Sequence, residues 1–330
     1  MIIRLVNRTI SSLILITTIS FANIVHSQTS YIDYQSPFHP TISEGAMVAS
    51  QNHLSSEIGI EIIKKGGNAV DAAVAVGFSL AVTLPRAGNL GGGGFMLIYM
   101  KDRDEILAID YRSQSPEGLT TDQIFGVNLP DEYKNANRDI VRYGYKASTV
   151  PGTVSGLILA HSQFGKLPLD VVMRPAIEQA REGVNVSYDL EKAIASAPQL
   201  SWDAESKRIY FHEGKPLKRG EVMKRPDLAN TMNQISMNGL KGFYDGEVAE
   251  KIASSMAING GEITTDDLKK YRARFTQPIG VNYRGNKVYT HGPPSGGGIV
   301  LLTALKVLEY FDLGKIGSNS ATSYHLLAEA

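Results

Sequence analysis

The residue types available for chemistry in this chain are restricted, because its 330 residues include no cysteine. That absence excludes a thiol nucleophile, thiolate metal sites and disulfide bonds together. Covalent catalysis would therefore use serine, threonine, lysine or a carboxylate. A serine nucleophile of the Gly-x-Ser-x-Gly type is disfavoured, because Ser155-Gly156 is preceded by Thr153-Val154 and lacks the required glycine spacing.

Metal and cofactor chemistry find little support in the sequence. The seven histidines are scattered, and none belongs to a His-Glu-x-x-His sequence, which would place two metal ligands on one face of a helix. We expect no metal site and no organic cofactor.

Four consecutive glycines at 91–94 invite comparison with phosphate-binding loops, in which backbone amides surround an anion. The flanking sequence disfavours a phosphate-binding loop, because no Gly-Lys-Ser or Gly-Lys-Thr follows and the loop leads into a strand instead of a helix. We therefore interpret these glycines structurally, as positions where the backbone passes close to another segment or takes a positive φ.

The balance of charge makes nucleic acid a poor candidate partner. Lys plus Arg and Asp plus Glu each number 33, so no strong field would draw the protein to phosphate backbones or anionic lipid. The 43% of hydrophobic residues, with only 8% aromatic, fits a globular core of Ala, Val, Ile and Leu. The length allows one large α/β domain or two smaller ones.

Residues 1–27 have the layout of a secretory signal peptide. The first segment carries two arginines, Arg4 and Arg8, and residues 13–25 form an apolar stretch. Small residues place the cleavage site after Ser27. A membrane anchor is the alternative, but the stretch is shorter than the roughly 20 residues that a span needs. We expect a periplasmic or secreted protein that has no membrane span after cleavage.

Apolar periodicity and turn residues indicate mixed α and β structure. Residues 54–63 repeat their apolar positions at helical spacing and stop before a glycine. Residues 72–82 form a buried, small-residue helix that Asn68 caps. Residues 95–100 and 106–111 are apolar runs joined by a polar turn, so we expect a hairpin covered on both faces.

The rest of the chain contributes more helices to the predicted sandwich. We expect helices at 167–183, 248–256, 266–271 and 299–311, a Thr-Thr-Asp-Asp cap at 264–267, and irregular surface at 198–218. Helices that enclose a hairpin predict an α/β sandwich without internal repeats.

Several segments resemble the γ-glutamyltranspeptidase family, and they follow the family's order. They are Gly-Gly-Asn-Ala-Val-Asp-Ala-Ala (66–73), Gly-Asn-Leu-Gly-Gly-Gly-Gly-Phe-Met (88–96), Asp-Tyr-Arg (110–112), Val-Pro-Gly-Thr-Val (150–154), Gly-Phe-Tyr (242–244), Gly-Gly-Glu-Ile-Thr (260–264) with Asp-Leu (267–268), and Pro-Pro-Ser-Gly-Gly-Gly (293–298). A single glycine-rich motif would carry little weight, whereas an ordered series from about residue 47 to the C-terminus is specific.

The resemblance implies an N-terminal-nucleophile hydrolase, a four-layer αββα sandwich made as a precursor that cuts itself into large and small subunits. In this family the new N-terminal threonine of the small subunit attacks the γ-glutamyl amide of glutathione or another γ-glutamyl compound. The acyl group then passes to water or to an amino-acid or peptide acceptor. The α-amino group of that threonine can act as general base, since its unperturbed pKa is about 7.7 to 8.0.

The resemblance also implies which parts of the enzyme this chain supplies. Residues 28–330 would form the N-terminal, large-subunit part, with the C-terminal small subunit as heterodimer partner and the sandwich incomplete without it. The nucleophilic threonine is expected C-terminal to Ala330, because the Thr-Thr pairs at 17–18, 120–121 and 264–265 do not match the family's Thr-Thr-His cleavage site. We therefore expect no catalytic residue in this chain and no activity from it alone.

Arg112 is the candidate substrate-binding residue. It matches the arginine that holds the α-carboxylate of the γ-glutamyl group in the family, and a guanidinium can donate two parallel hydrogen bonds to a carboxylate. Two departures affect the surrounding loops: Ser113 stands where many members have glutamate, and Gly292 and Gly296 replace a proline and a serine.

Two other functions stay open. One is a related N-terminal-nucleophile acylase that acts on cephalosporin-type amides, which Arg112 disfavours without excluding. The other is a truncated, non-catalytic remnant. The reading frame beyond Ala330 discriminates the enzyme from the remnant, because a Thr-Thr-His-like site there favours the enzyme and an early stop favours the remnant.

Export should remove residues 1–27. Because signal peptidases cut after small residues, protein recovered from the periplasm or the medium should begin at Gln28 when its N-terminus is sequenced. A chain begun with a new methionine before Gln28 should stay in the cytoplasm. Soluble exported protein that retains Met1 would contradict the prediction.

Overall fold

The computed structural model describes residues 42–120 and 142–330, and the signal peptide predicted at 1–27 lies outside them. The helices of these ranges are α1 His53–Lys64, α2 Ala69–Thr83, α3 Thr153–Phe164, α4 Leu169–Glu182, α5 Tyr188–Ala195, α6 Ala204–Tyr210, α7 Pro226–Asn238, α8 Lys241–Tyr244, α9 Glu247–Ile258, α10 Thr265–Lys270, α11 Gly296–Leu308, α12 Leu313–Ile316 and α13 Ala321–Glu329. The strands are β1 Gly94–Met100, β2 Glu105–Tyr111, β3 Val184–Asn185, β4 Phe211–His212, β5 Lys215–Pro216, β6 Val222–Met223, β7 Arg274–Thr276, β8 Pro278–Tyr283 and β9 Asn286–His291. No helix in the described ranges is long and apolar enough to cross a bilayer.

The chain divides into two compact units, Ser43–Pro278 and a smaller one that includes Ile279–Ala330. In the larger unit, the antiparallel sheet β1-β2-β7 and the helices around it share one hydrophobic core. In the smaller unit, β8 pairs with β9 and α11 packs against β9. Each unit mixes helices and strands, as the sequence predicts.

The first two helices are confirmed. Helix α1 ends before a left-handed Gly66, whose φ is 92°. Helix α2 begins after Asn68, whose side-chain oxygen accepts hydrogen bonds from the N–H groups of Val70 and Asp71. The Asp71 carboxylate in turn accepts a hydrogen bond from the Asn68 N–H. This reciprocal capping box satisfies amides that have no partner within the helix. Most of α2 is buried, because its small residues allow close packing against α1 and α4.

Asp71 also joins α2 to a distant turn. Its carboxylate is fully buried and accepts hydrogen bonds from the Asn68 N–H at 2.9 Å and the Lys166 N–H at 3.0 Å. The Asn68 side-chain amide donates to the Phe164 carbonyl at 2.5 Å. Since a buried carboxylate is stable only when its oxygens have donors, these contacts fix the start of α2 to the turn between α3 and α4.

The predicted hairpin is present, with Phe95 of β1 opposite Asp110 of β2 and β7 on the other side of β2. The expectation that the strands are covered on two faces is confirmed for the end of β2, where the consecutive residues Ala108, Ile109 and Asp110 are all buried, and is wrong for β1. Ile98 is buried, but Leu97 and Tyr99, which point to the opposite face, are 41% and 58% exposed. Side chains alternate along a strand, so the apolar run predicts two apolar faces without showing what lies against each.

The prediction of irregular structure at 198–218 is also wrong, because this segment contains α6 and the short pair β4–β5. The Asp203 carboxylate caps α6 by accepting a hydrogen bond from the Ser206 N–H at 2.7 Å, and Arg208 pairs with acidic neighbours. Polar caps and ion pairs stabilise this short helix, so apolar periodicity could not reveal it. Trp202 is 68% exposed, as a surface segment predicts.

The helices predicted at 167–183, 248–256, 266–271 and 299–311 are confirmed as α4, α9, α10 and α11, with shifted ends. Helix α3 has no predicted counterpart, because it begins after Gly152 without a side-chain cap. The hairpin β8–β9 has none either, although Arg284 and Gly285 both have positive φ, as a two-residue hairpin turn requires.

Replacing Asp71 by asparagine should destabilise the larger unit, because an amide has one acceptor oxygen and would leave buried N–H groups unpaired. We expect a loss of about 2 to 3 kcal/mol in the free energy of unfolding. Asp170→Asn is the control, since Asp170 also lies in the first turn of a helix but is exposed and pairs with Arg174; that change should cost under about 0.5 kcal/mol. Urea denaturation followed by circular dichroism measures both, and equal midpoints would contradict the role of Asp71.

Candidate functional site

Arg112 directly follows β2, and its side chain is exposed. Within residues 42–120 and 142–330, no hydrogen bond or ion pair engages its guanidinium, whose donors are available to a ligand. This position agrees with the strand predicted at 106–111, which Arg112 directly follows. The contacts of neighbouring residues determine how far the Arg112 backbone can move.

The backbone of Arg112 is held on both sides. Its N–H donates to Oδ1 of Asp110 at 3.0 Å, and its carbonyl accepts a hydrogen bond from the Tyr271 hydroxyl at 2.9 Å. We call this pair of contacts the Arg112 clamp. Because both peptide groups are engaged, the guanidinium extends from a backbone with little freedom to rotate.

Asp110 is a buried carboxylate, only 6% exposed, with its charge compensated. Nη2 of Arg274 lies 2.9 Å and Nε lies 3.3 Å from Oδ2, and Arg274 is the residue opposite Asp110 in the β2–β7 pair. A carboxylate at this depth would be costly without such a partner. One oxygen therefore binds the Arg274 side chain while the other holds the Arg112 N–H.

Tyr271 lies at the end of α10 and is 3% exposed. Its ring stacks on Tyr244, with centroids 5.8 Å apart and an interplanar angle of 15°. The Tyr244 hydroxyl donates to the Pro151 carbonyl at 2.8 Å and accepts from the Ser155 N–H at 3.1 Å. The stacked pair thus connects Arg112 with the start of α3.

Both phenols stay protonated at neutral pH. Burial, reinforced by the Asp110 carboxylate, raises the pKa of Tyr271 to about 12. Burial likewise raises the pKa of Tyr244. Tyr271 can therefore act as a hydrogen-bond donor to Arg112 at every physiological pH.

The glycines around β2 confirm the structural interpretation of the 91–94 loop. A Cβ on Gly93 would lie 2.3 Å from the Ser113 nitrogen, and a Cβ on Gly152 would lie 2.0 Å from the Tyr111 carbonyl oxygen. None of the four loop glycines has a positive φ. Close approach of the backbone requires glycine at Gly93, and a Cβ on Gly94 would lie 2.9 Å from the Tyr111 ring, whereas a Cβ on Gly91 or Gly92 would meet no atom closer than 3.3 Å. The Gly92 carbonyl accepts hydrogen bonds from the N–H groups of Gly152 and Thr153, which seals the loop against the start of α3.

The Thr-Thr-Asp-Asp segment is a helix cap, as predicted. The Thr264 hydroxyl accepts a hydrogen bond from the Asp267 N–H, and the Asp267 carboxylate accepts bonds from the N–H groups of Thr264 and Glu117 at 2.9 Å each. Burial raises the pKa of Asp267, but the hydrogen bonds from Thr264 and Glu117 outweigh it and leave the pKa below its usual value. The cap also fixes the loop after Arg112 through Glu117.

Sequence motifs that are far apart along the chain therefore meet at the end of β2. Those brought together are 91–94, 110–112, 150–154, 242–244 and the residue after α10. The sequence pointed to the motifs but not to the roles of Asp110, Tyr244 and Tyr271, because only the fold shows which of them touch Arg112. In the described part of the chain, no group of three or more His, Cys, Asp or Glu side chains is arranged to hold a metal ion.

The gamma-glutamyltranspeptidase family model matches residues 55–330. The chain is 42% identical over 303 residues to the glutathione hydrolase proenzyme of Escherichia coli (strain K12), a match that covers 91% of this chain and 51% of that protein. Its structure is similar to Helicobacter pylori gamma-glutamyltranspeptidase, with a TM-score of 0.82, 35% identity, and coverage of 88% of this chain and 82% of that chain. It is also similar to a cephalosporin acylase from Bacillus halodurans, with a TM-score of 0.74, 27% identity, and coverage of 90% and 55%.

These likenesses and the α/β architecture define an N-terminal-nucleophile hydrolase fold, which confirms the predicted fold class. The chain belongs to the gamma-glutamyltranspeptidase family. It spans about half the length of the curated relatives it matches.

Proposed function

We propose that this chain is the substrate-anchoring part of a γ-glutamyltransferase and glutathione hydrolase. The observation that carries the proposal is the position of Arg112, an exposed guanidinium without an internal partner in the described residues, on a peptide that Asp110 and Tyr271 hold. Two parallel N–H groups of a guanidinium match the two oxygens of a carboxylate. The α-carboxylate of a γ-glutamyl compound such as glutathione is the ligand that fits this role.

The chemistry itself would be acyl transfer at the γ-carbonyl carbon. An N-terminal threonine of the small subunit attacks that carbon while its α-amino group takes the hydroxyl proton. The amide C–N bond breaks, and the leaving amine takes up the proton. Water or the amino group of an acceptor then attacks the acyl enzyme and frees the threonine, so the substrate is hydrolysed or its acyl group is transferred.

We place that threonine in the other half of the family's proenzyme. Support comes from the share of the relatives that this chain spans and from the name of the Escherichia coli relative, a proenzyme. Apolar side chains are also exposed on β1, at Leu97 and Tyr99, and on α11, at Ile299, Val300 and Leu301. Exposed apolar clusters of this kind favour association with another protein segment. Export to the periplasm or the medium remains part of the proposal.

The first test supplies the two halves separately. The 330-residue chain alone should neither cut itself nor release chromophore from a γ-glutamyl anilide, because the proposed nucleophile is elsewhere. Adding the separately made C-terminal half of the proenzyme should produce turnover. Turnover by the purified chain alone would contradict the placement of the nucleophile.

The second test examines Arg112 in the enzyme assembled from both halves. Arg112→Lys should weaken binding of the γ-glutamyl substrate by about 1.5 to 3 kcal/mol, because an ammonium ion cannot reproduce two parallel hydrogen bonds. Arg103→Lys is the matched control, since Arg103 is exposed at the opposite end of the same hairpin.

Substrate choice in the same assay separates the acylase alternative. An anilide that lacks the α-carboxylate should bind poorly to the unaltered enzyme. The Arg112→Lys change should not weaken the binding of this anilide further. Equal affinity of both variants for the γ-glutamyl substrate would contradict the assignment of Arg112. Preference for a cephalosporin-type amide over the γ-glutamyl anilide would favour an acylase.

A further inference from the structure

The Arg112 clamp contains one contact that local sequence cannot provide. Asp110 is two residues from Arg112, so the hydrogen bond from the Arg112 N–H to the Asp110 carboxylate is local in sequence. Tyr271 is 159 residues away along the chain, and its hydroxyl reaches the Arg112 carbonyl at 2.9 Å only because the fold places the end of α10 beside β2. A phenylalanine at position 271 could provide the same ring packing but not this hydrogen bond.

The surroundings provide space for the hydroxyl group itself. A Cβ on Gly152 would lie 2.4 Å from the Tyr271 hydroxyl oxygen, so only a residue without a side chain leaves the phenol enough room there. The ring is buried and stacked on Tyr244, whose own hydroxyl is bonded to Pro151 and Ser155. Tyr271 is therefore held rigidly and aimed at one acceptor.

We propose that Tyr271 is a positioning residue for substrate recognition: its hydroxyl fixes the Arg112 peptide so that the guanidinium meets the α-carboxylate in one orientation. This inference rests on the proposed function of Arg112 and adds a residue that does not touch substrate. Without the hydroxyl, the Arg112 carbonyl loses its donor, and of the two clamp contacts only the bond from the Arg112 N–H to Asp110 is left. The guanidinium then samples more orientations. Carboxylate binding weakens because ordering the guanidinium on binding costs conformational entropy.

The predicted signature is a change in binding and not in chemistry. In the enzyme assembled from both halves, Tyr271→Phe should raise KM for the γ-glutamyl anilide roughly three- to tenfold, the effect of losing one neutral hydrogen bond. The inhibition constant of L-glutamate, which carries the same α-carboxylate, should rise by a similar factor, while kcat should change less than about twofold. A loss of folded protein would instead lower the apparent kcat and leave KM unchanged.

Two variants serve as controls. Tyr145→Phe removes a phenol hydrogen bond of similar length, to the Asp203 carboxylate at 2.8 Å and outside the clamp, and should leave KM unchanged. Replacing Tyr271 by para-aminophenylalanine keeps a donor at the same place and should restore most of the binding. That second variant also keeps the test usable if the phenylalanine variant folds poorly.

A double-mutant cycle with Arg112→Ala separates this inference from the proposed function. If Tyr271 acts through Arg112, Tyr271→Phe should have no further effect on the L-glutamate inhibition constant once Arg112 is alanine. Equal effects in both backgrounds, or an unchanged KM in the single variant, would overturn the positioning role while leaving Arg112 in place. An Arg112→Ala change that leaves KM and the inhibition constant unaltered would overturn the proposed function, and the positioning role with it.

Discussion

The arrangement around Arg112 depends on a close approach of backbone segments at the end of strand β2. The 91–94 loop, the end of β2 and the start of α3 meet where a Cβ on Gly93 or Gly152 would overlap backbone atoms of the neighbouring segment. Glycine is required at these positions for steric reasons. The N–H groups of Gly152 and Thr153 also donate hydrogen bonds to the Gly92 carbonyl, which join the two segments. These backbone contacts alone hold the end of β2 in place.

Side chains then hold Arg112, the proposed substrate-binding residue, at that strand end. Asp110 is buried, and its two oxygens accept hydrogen bonds from the Arg274 side chain and from the Arg112 backbone N–H. The first contact joins β2 to β7 and limits the cost of burying the charge. The second, with the Tyr271 hydroxyl on the other side of the peptide, leaves the Arg112 guanidinium as the part of the residue that is free for a ligand. Structural stability and the proposed recognition therefore use the same small set of contacts.

Sequence reasoning succeeded where local signals were strong. The cap formed by Asn68 and Asp71, the cap at Thr264 and the hairpin with Arg112 at its end could all be read from residue types and spacing. It failed at α6, whose stability comes from polar caps and ion pairs, and at α3, which begins after Gly152 without a cap. The roles of Asp110 and Tyr271 could not be read either, because a contact across 159 residues depends on the fold that brings the end of α10 beside β2 and has no local pattern. Family motifs pointed to Arg112, whereas only the three-dimensional contacts explain how that residue is held.

The most direct test is a crystal structure of the assembled enzyme with bound L-glutamate. If Arg112 anchors the γ-glutamyl group, both oxygens of the α-carboxylate should lie about 2.7 to 2.9 Å from two guanidinium nitrogens of Arg112. The Arg112 peptide should keep its hydrogen bonds to Asp110 and Tyr271 in the same structure. An α-carboxylate bound to other residues, with the Arg112 side chain turned to solvent, would contradict the assignment.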